Sequence, residues 1–186
     1  LGGSVVKGAQ FLVDQLPTNR LMAKVYDGAD EAQADLVNFL EEFSERPIEI
    51  GEKAVNPENQ PKVADPGLKK PGTAKEKVVR KGYKSPEQLS DIVRAGISVD
   101  RPDEAQALVD KLADNFEIVD EGWDAKPGGY FDRKVMVKLP NGKTGELQIW
   151  SKEIGDIKED LYVIYEKARK IEKDPKQQDK YQDLLK

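Results

Sequence analysis

The sequence contains neither cysteine nor histidine. Their absence excludes disulfides, thiolate nucleophiles, histidine-based catalytic triads and zinc sites built from thiolate or imidazole ligands. Any bound metal would have to be a hard cation held by carboxylate oxygens, such as Mg²⁺. The chemistry left to this chain is therefore that of carboxylates, hydroxyls, amides and basic side chains.

Long hydrophobic runs are also missing. No stretch approaches the roughly 20 apolar residues that a membrane-spanning helix needs. The segment Leu1–Ser4 lacks the basic flank and apolar core of a secretion signal. We therefore expect no membrane partner and a cytoplasmic site of action, in the cell of origin or in a target or host cell. Because the first residue is Leu1, we also expect a chain processed or cut from a longer one.

An excess of positive charge is absent as well. The 186 residues include 30 Lys and Arg against 35 Asp and Glu, a net charge of −5. This balance gives no general attraction to nucleic acids or anionic membranes. A basic cluster nevertheless lies between residues 75 and 84, and it is a candidate for phosphate contacts or simply a solvated face.

The length predicts one ordinary domain with a small appendage. Apolar residues at helical spacing predict helices over residues 5–15 and 30–45. Prolines are frequent between Gly51 and Gly72, which predicts a linker or a long surface loop. We therefore expect an N-terminal helical extension over residues 1–50, a linker over 51–72 and a main domain over 73–186.

The main domain alternates helix and strand signals. Ser85, Pro86 and Gln88 fit the cap, first and third positions of a helix start. We predict strands over residues 92–99, 116–119, 131–139 and 144–150, helices starting at 102 and 157, and a loop from Gly122 to Gly129. This order predicts an α+β fold in which a mixed sheet carries helices on its faces.

The dipeptide Asn141-Gly142 predicts a hairpin with a two-residue turn. In that register Val137 faces Glu146, and Arg133, Glu146 and Gln148 share one face of the sheet. A carboxylate there is costly unless it is paired or bound to a cation. Two interpretations stay open: Glu146 forms a structural ion pair with Arg133, or it helps to bind Mg²⁺ or to activate a hydroxyl.

Four segments in this order resemble the RelA/SpoT-like synthetase domains, over about residues 75–170, and a fifth, the closing helix, looks like the final helix of that family. The segments are Lys84-Ser85-Pro86-Glu87-Gln88-Leu89, Asp91-Ile92-Val93-Arg94-Ala95-Gly96-Ile97, Gly129-Tyr130, Glu146-Leu147-Gln148-Ile149 and Leu161-Tyr162-Val163-Ile164-Tyr165-Glu166-Lys167-Ala168-Arg169.

The resemblance implies a nucleotidyltransferase-like fold and transfer of pyrophosphate from ATP to the 3′-hydroxyl of a guanine nucleotide. Toxin relatives modify adenine nucleotides or the 3′ end of tRNA. By resemblance, Asp91 would hold Mg²⁺, and Glu146 would complete the metal site or take the proton of the attacking hydroxyl. Tyr130 would stack on the acceptor base. The remaining nucleotide-binding candidates are Lys81, Lys84, Ser85, Arg94, Arg133 and Gln148.

The sequence departs from the family pattern at several positions. Phe131 follows the Gly-Tyr pair where the family has Arg, and Lys134 replaces an expected His. Arg94 and Gly96 occupy positions where the family has Gly and then Arg. These changes indicate a different acceptor or a site that binds without catalysis. The rival hypotheses are therefore a degenerate module that binds a nucleotide, a protein partner or an inhibitor, and a purely structural interaction module.

Overall fold

The computed structural model describes residues 19–45, 60–125 and 130–171. Within them five strands form one mixed sheet in the order β1-β2-β5-β4-β3. The strands are β1 Lys62–Ala64, β2 Val93–Val99, β3 Glu117–Ala125, β4 Phe131–Lys138 and β5 Thr144–Ser151. The helices are α1 over residues 19–26, α2 Ala29–Glu45, α3 Pro71–Lys81, a 3₁₀ helix Pro86–Gln88, α4 Pro102–Asn115 and α5 Lys152–Ile171.

Strands β2 and β5 run parallel, whereas the other neighbouring strands are antiparallel. The predicted α+β class and mixed sheet are therefore confirmed. The helix expected over residues 5–15 lies outside the described residues. No helix in the described ranges has the length and apolar character needed to cross a bilayer.

Two helix starts follow the local signals in the sequence. Ser85 Oγ accepts the backbone N–H of Glu87, and the Gln88 side chain accepts the N–H of Ser85, so the predicted capping box is present. Pro102 occupies the first turn of α4, where its missing N–H costs nothing. The carboxylate of Glu104 accepts the N–H groups of Asp100 and Arg101 and completes that cap.

Helices α2 and α4 cover one face of the sheet, which we call the core face. The rings of Phe39 in α2 and Phe116 after α4 meet edge to face at 5.1 Å. Apolar side chains from the three central strands fill this face because alternate residues of a strand point to the same side. They are Val93, Ala95, Ile97, Val99, Val135, Val137, Leu147 and Ile149, all buried.

Residues expected in an extension and a linker contribute to the same core. Leu36 and Leu40 of α2 are fully buried within it. Residues 62–64, inside the segment where a loop was expected, form β1 and pair antiparallel with β2. The proline-rich composition hid this strand because its three residues are too few to give a period. The boundaries at residues 50 and 72 stay a prediction, although described residues on both sides share one core.

Strand β3 is longer than the sequence suggested. It extends to Ala125, beyond the predicted end at Val119 and into the segment where a loop was expected. The pairing with β4 shifts between Asp120 and Gly122, and Gly122 has φ 76°. A glycine at this bulge lets the strand continue after an extra residue.

The predicted hairpin register was wrong by one residue. Met136 faces Glu146, and Val135 faces Leu147. The Leu139 N–H donates to the Lys143 carbonyl and the Gly142 N–H donates to the Leu139 carbonyl, each at 2.8 Å, so the loop has three residues, 140–142, rather than two. A two-residue type I′ turn needs positive φ at Asn141, but every residue with positive φ in the described ranges is a glycine. Pro140, whose φ is fixed near −65°, instead opens the turn.

The opposite face of the sheet, which we call the polar face, is covered only in part. The first turn of α5 lies over Trp150, whose indole is buried between two glycines. A Cβ at Gly155 would stand 2.7 Å from the indole Nε1, and a Cβ at Gly96 of β2 would overlap the ring. Because neither glycine has a side chain, the indole fits between β2 and α5, and α5 can cover one end of the polar face.

Candidate active site

Polar side chains line up across the polar face in two adjacent rows. In the first row Arg94 of β2 pairs with Glu146 of β5, which pairs with Met136 of β4. In the next row Gly96 pairs with Gln148, which pairs with Lys134. Paired residues of neighbouring strands point to the same side of a sheet. The chain therefore places an acid, an amide and two basic residues on one rigid surface.

Glu146 is half-buried on this surface. Its Oε1 accepts a hydrogen bond of 2.8 Å from Gln148 Nε2. Within the described ranges Glu146 forms no ion pair. Since Gln148 fixes one oxygen and leaves the other lone pairs of the carboxylate available, Glu146 can accept a proton or ligate a cation.

Tyr130 lies at the side of Glu146 and Gln148. Its hydroxyl is 3.4 Å from Gln148 Oε1, within hydrogen-bonding distance. Burial, followed by the charge and hydrogen bond of Asp132 and the charge of Glu146, raises the pKa of Tyr130 well above its usual value. The phenol is therefore neutral at physiological pH and available as a hydrogen-bond donor.

Asp91 is located just before β2, and it is enclosed by two lysines. Lys69 Nζ and Lys77 Nζ each donate to Asp91 Oδ2 at 2.8 Å. Burial by itself would raise the pKa of Asp91, but the hydrogen bonds and charges of both lysines outweigh it and hold this pKa below its ordinary value. Asp91 is therefore ionised and accepts hydrogen bonds from two ammonium groups. Together the three side chains carry one net positive charge.

The side chain of Arg94 is hydrogen-bonded to the segment that contains Lys69. Its Nε donates to the carbonyl of Gly67 at 3.3 Å. The hydroxyl of Tyr26, from α1, donates to the carbonyl of Lys69. The Tyr26 pKa is raised by burial, and it responds to the charges of both Arg94 and Asp91. The segment from Gly67 to Lys69 therefore connects Arg94 with the Lys69–Asp91–Lys77 cluster, and we call Arg94, Lys69 and Lys77 the positive region.

Arg133 does not belong to this surface, contrary to the expectation from the register. Arg133 pairs with the buried Ile149, so it points to the core face. Its Nε donates to Asp120 Oδ1 at 3.1 Å, and its Nη1 donates to Gln106 Oε1 at 3.0 Å. The hypothesis of an Arg133–Glu146 ion pair was therefore wrong, because the one-residue shift separates the two side chains by the thickness of the sheet.

The three remaining predicted residues lie around the end of α3. Lys81 is the last residue of α3 and follows Lys77 by one turn, so both lie on the same side of that helix. Lys84 is exposed. The hydroxyl of Ser85 serves the local helix cap. Lys81 and Lys84 are thus exposed basic residues near the end of α3, and the hydroxyl of Ser85 caps the 3₁₀ helix.

Sequence reasoning missed Lys69, Tyr26, Gln33 and Asp132. Gln33 carried a signal, because a glutamine interrupts the apolar stripe of Ala32, Leu36 and Leu40 and is buried with them. Asp132, fully buried next to Tyr130, alternates with the buried core positions of β4 but points to the polar face. Lys69 lies in a segment without periodicity, and Tyr26 lies in α1, a short helix that the sequence analysis did not predict.

A Mg²⁺ site formed by Asp91 and Glu146 together stays a prediction. Asp91 Oδ2 already accepts from two ammonium groups, which would repel a cation. No group of three acidic side chains suited to a metal ion occurs among the described residues. Glu146 alone fits as a carboxylate ligand, because Mg²⁺ takes one or two carboxylates and completes its shell with phosphates and water.

A separate cleft of about 540 Å³ lies at the tip of the β4–β5 hairpin. Lys24, Glu31, Glu87 and Lys143 contribute charges of both signs to its wall. None of the predicted site residues lines it. The cleft and the polar face are therefore distinct surfaces.

Known structures share this fold. The chain aligns with the type VI effector Tas1, solved in complex with its immunity protein, at a TM-score of 0.53 and 21% identity, over 70% of this chain and 61% of Tas1. It also aligns with a GTP pyrophosphokinase family protein from Streptococcus pneumoniae, at a TM-score of 0.52 and 16% identity, over 88% and 85% of the two chains.

Small alarmone synthetase 1 from Bacillus subtilis aligns at a TM-score of 0.51 and 18% identity, over 80% of this chain and 78% of that one. The chain spans about 61% of the length of the Tas1 chain. No protein-family model and no curated protein sequence matches it. The chain therefore has the fold of the RelA/SpoT-like synthetases, as its motifs implied, and its activity is a separate question.

Proposed function

We propose that this chain is a transferase that moves pyrophosphate from ATP to the hydroxyl of a nucleotide or of a tRNA 3′ end. The observation that carries the proposal is the pairing of Arg94 with Glu146 on the polar face, in a fold of this type. A cation that can bind phosphate and a carboxylate that can accept a proton stand on adjacent strands, about 4.8 Å apart at the backbone.

The positive region supports binding of the triphosphate of ATP. Arg94, Lys69 and Lys77 are held in place by fixed partners, so little side-chain entropy is lost when phosphate binds. Lys134, opposite Gln148, adds a further positive charge on the polar face. Such donors stabilise charge that develops on phosphoryl oxygens during transfer.

Glu146 would assist the attacking hydroxyl. The acceptor oxygen forms a bond to the β-phosphorus of ATP, and the bond from that phosphorus to the oxygen bridging the α-phosphate breaks. AMP leaves with this oxygen, and the proton of the hydroxyl passes to the carboxylate of Glu146. The hydrogen bond from Gln148 orients this carboxylate for the task.

Mg²⁺ would be held by Glu146 together with phosphate oxygens of the substrate, and when bound it would neutralise charge on the phosphates. Asp91 takes a different part from the one that the family resemblance implied. It fixes the positions of the Lys69 and Lys77 ammonium groups, and these groups would bind the same phosphates.

Tyr130 and Gln148 are proposed to contact the acceptor. A neutral phenol next to an amide can donate to a ribose hydroxyl or a base edge, and the ring of Tyr130 can lie against a base. Lys81 and Lys84, both exposed at or just after the end of α3, would contact the outer phosphates or a longer acceptor such as tRNA.

A second candidate function is nucleotide or protein binding without turnover. The occupation of Asp91 by two lysines favours it, because the family-type carboxylate pair is then incomplete. A protein inhibitor would be the partner expected for a toxin of this fold, since Tas1 was solved with an immunity protein.

Mass spectrometry of the protein incubated with ATP, Mg²⁺ and candidate acceptors separates the two functions. We expect AMP and an acceptor carrying two additional phosphoryl groups. The acceptor panel comprises guanine nucleotides, adenine nucleotides and deacylated tRNA. ATP binding measured by calorimetry without AMP formation with any of these acceptors would reject the transferase in favour of the binding module.

A further inference from the structure

Arg94 sits at the point where the pairing between β1 and β2 ends. The register pairs Lys62 with Ser98 and Ala64 with Gly96, so the next partner of Arg94 would be Pro66. Proline has no N–H and cannot donate to the Arg94 carbonyl. Without another partner, both backbone groups of Arg94 would be left unsatisfied at the buried edge of the sheet.

The side chain of Gln33, from α2, takes the place of the missing strand. Its Nε2 donates to the Arg94 carbonyl at 2.8 Å, and its Oε1 accepts the Arg94 N–H at 3.0 Å. One carboxamide thus reproduces the donor and the acceptor that a neighbouring strand would offer. Gln33 is 7% exposed, so water competes weakly for these bonds.

The same carboxamide also orders the loop that holds the Arg94 side chain. Gln33 Nε2 donates to Asp65 Oδ1 at 2.7 Å, and that oxygen accepts the Gly67 N–H at 2.8 Å. The Gly67 carbonyl in turn accepts from Arg94 Nε. Gln33 therefore fixes Arg94 twice, directly through its backbone and indirectly through the turn Asp65–Gly67.

We infer that Gln33 is a positioning residue for the phosphate-binding guanidinium of Arg94. This inference rests on the proposed function, in which Arg94 binds the triphosphate of ATP. It also assigns a task to α2: the helix supplies packing for the core face and aligns a binding residue on the polar face. Because the guanidinium must match phosphate geometry, a displacement of about 1 Å is enough to weaken its contacts.

A double-mutant cycle tests the inference. The single variants are Gln33→Glu and Arg94→Ala, the double variant combines them, and calorimetry measures the affinity for ATP with Mg²⁺. Gln33→Glu keeps the shape and can accept the Arg94 N–H, but it cannot donate to the Arg94 carbonyl or to Asp65. Asn38→Glu is the matched control, because it places the same charge on the exposed side of α2.

We expect Gln33→Glu to weaken ATP binding about tenfold and to have no further effect in the Arg94→Ala background. Asn38→Glu should bind as the wild type does. Gln33→Met, which packs with similar volume but has no polar group, should also weaken binding, and Gln33→Asn should restore little because its carboxamide is one methylene too short. Circular dichroism confirms that each variant is folded before binding is compared.

Unchanged ATP affinity in a folded Gln33→Glu variant, or losses that simply add in the double variant, would overturn the inference and leave the proposed function standing. A wild-type protein that does not bind ATP would overturn the proposed function, and the inference with it.

Discussion

The two faces of the sheet are built from alternate residues of the same strands, and they differ in kind. On the core face Val93, Ile97, Leu147 and Ile149 are sealed under α2 and α4. On the polar face their immediate neighbours include the half-buried Glu146 and Gln148, only partly covered by α5. Half-buried carboxylates and amides contribute little to stability. The core-face positions therefore specify the fold, and the half-buried positions of the polar face remain available for chemistry.

The largest effect should come from Glu146→Gln. If Glu146 accepts the proton of the attacking hydroxyl, this isosteric change should lower the transfer rate by about 10²–10⁴-fold. The thermal midpoint should change little because the amide can still bond with Gln148. The readout is AMP formation, and Glu121→Gln, on the exposed edge strand β3, is the control. A Glu146→Gln variant with the full rate would remove Glu146 from the mechanism.

Leu147 follows Glu146 in the chain and points to the core face. Its replacement should lower stability and leave ATP binding almost unchanged. Leu147→Ala leaves a cavity under α2 and should lower the free energy of unfolding by about 2–5 kcal/mol. ATP affinity per folded molecule should be retained at a temperature where the variant is folded. Denaturant titration measures the loss, and Val79→Ala is the control, because Val79 is exposed on α3. Equal effects of the Glu146 and Leu147 changes on stability would erase the distinction between the faces.

Asp91→Asn tests whether Asp91 has a different role from Glu146, the other predicted carboxylate. Removal of its charge leaves Lys69 and Lys77 without a counter-ion, and we expect a loss of about 3 kcal/mol at neutral pH. Because the folded-state pKa of Asp91 is lowered, its contribution is fully present above the ordinary value of 3.8 and is lost as the pH falls through the lower folded value.

The measurement is the unfolding free energy of the wild type and of Asp91→Asn between pH 7 and pH 2.5. The difference between the two proteins should be constant above about pH 5 and shrink as the acid range is entered. A difference independent of pH would show that Asp91 does not act through its charge.

A smaller effect is expected from Gly96→Ala. Its Cβ would overlap the indole of Trp150, which is held from the other side by α5. Overpacking of this kind costs about 1–3 kcal/mol. Gly72→Ala is the control, because nothing lies within 4 Å of the added Cβ. A Gly96→Ala variant as stable as the wild type would mean that α5 shifts easily and that the end of the polar face is not fixed.

The fold was predictable from the sequence where the signal was periodic or carried by a cap. The stripe of α2, the capping box at Ser85 and the proline at the start of α4 gave the helices and their starts. The register was not predictable from Asn141-Gly142 alone, because Pro140 changed the loop from two residues to three. The three-residue strand β1 was hidden because it lies in a proline-rich segment.

The candidate site was predictable only in part. Arg94, Glu146 and Gln148 lie on one face, and the Tyr130 hydroxyl is close to Gln148, while their roles stay a prediction. Arg133 was misplaced by the register. The partners of Asp91 were missed because hydrogen bonds between residues such as Lys69 and Asp91, 22 positions apart, leave no local pattern in a single sequence.

In the proposed function the polar face, rather than the cleft at the hairpin tip, receives the nucleotide. Backbone amide NMR during a titration with ATP and Mg²⁺ tests it most directly. We expect the chemical-shift changes to concentrate at Arg94, Tyr130, Glu146 and Gln148, with small changes at Leu147 and Ile149. Shifts confined to the cleft around Lys24, Glu87 and Lys143 would contradict it.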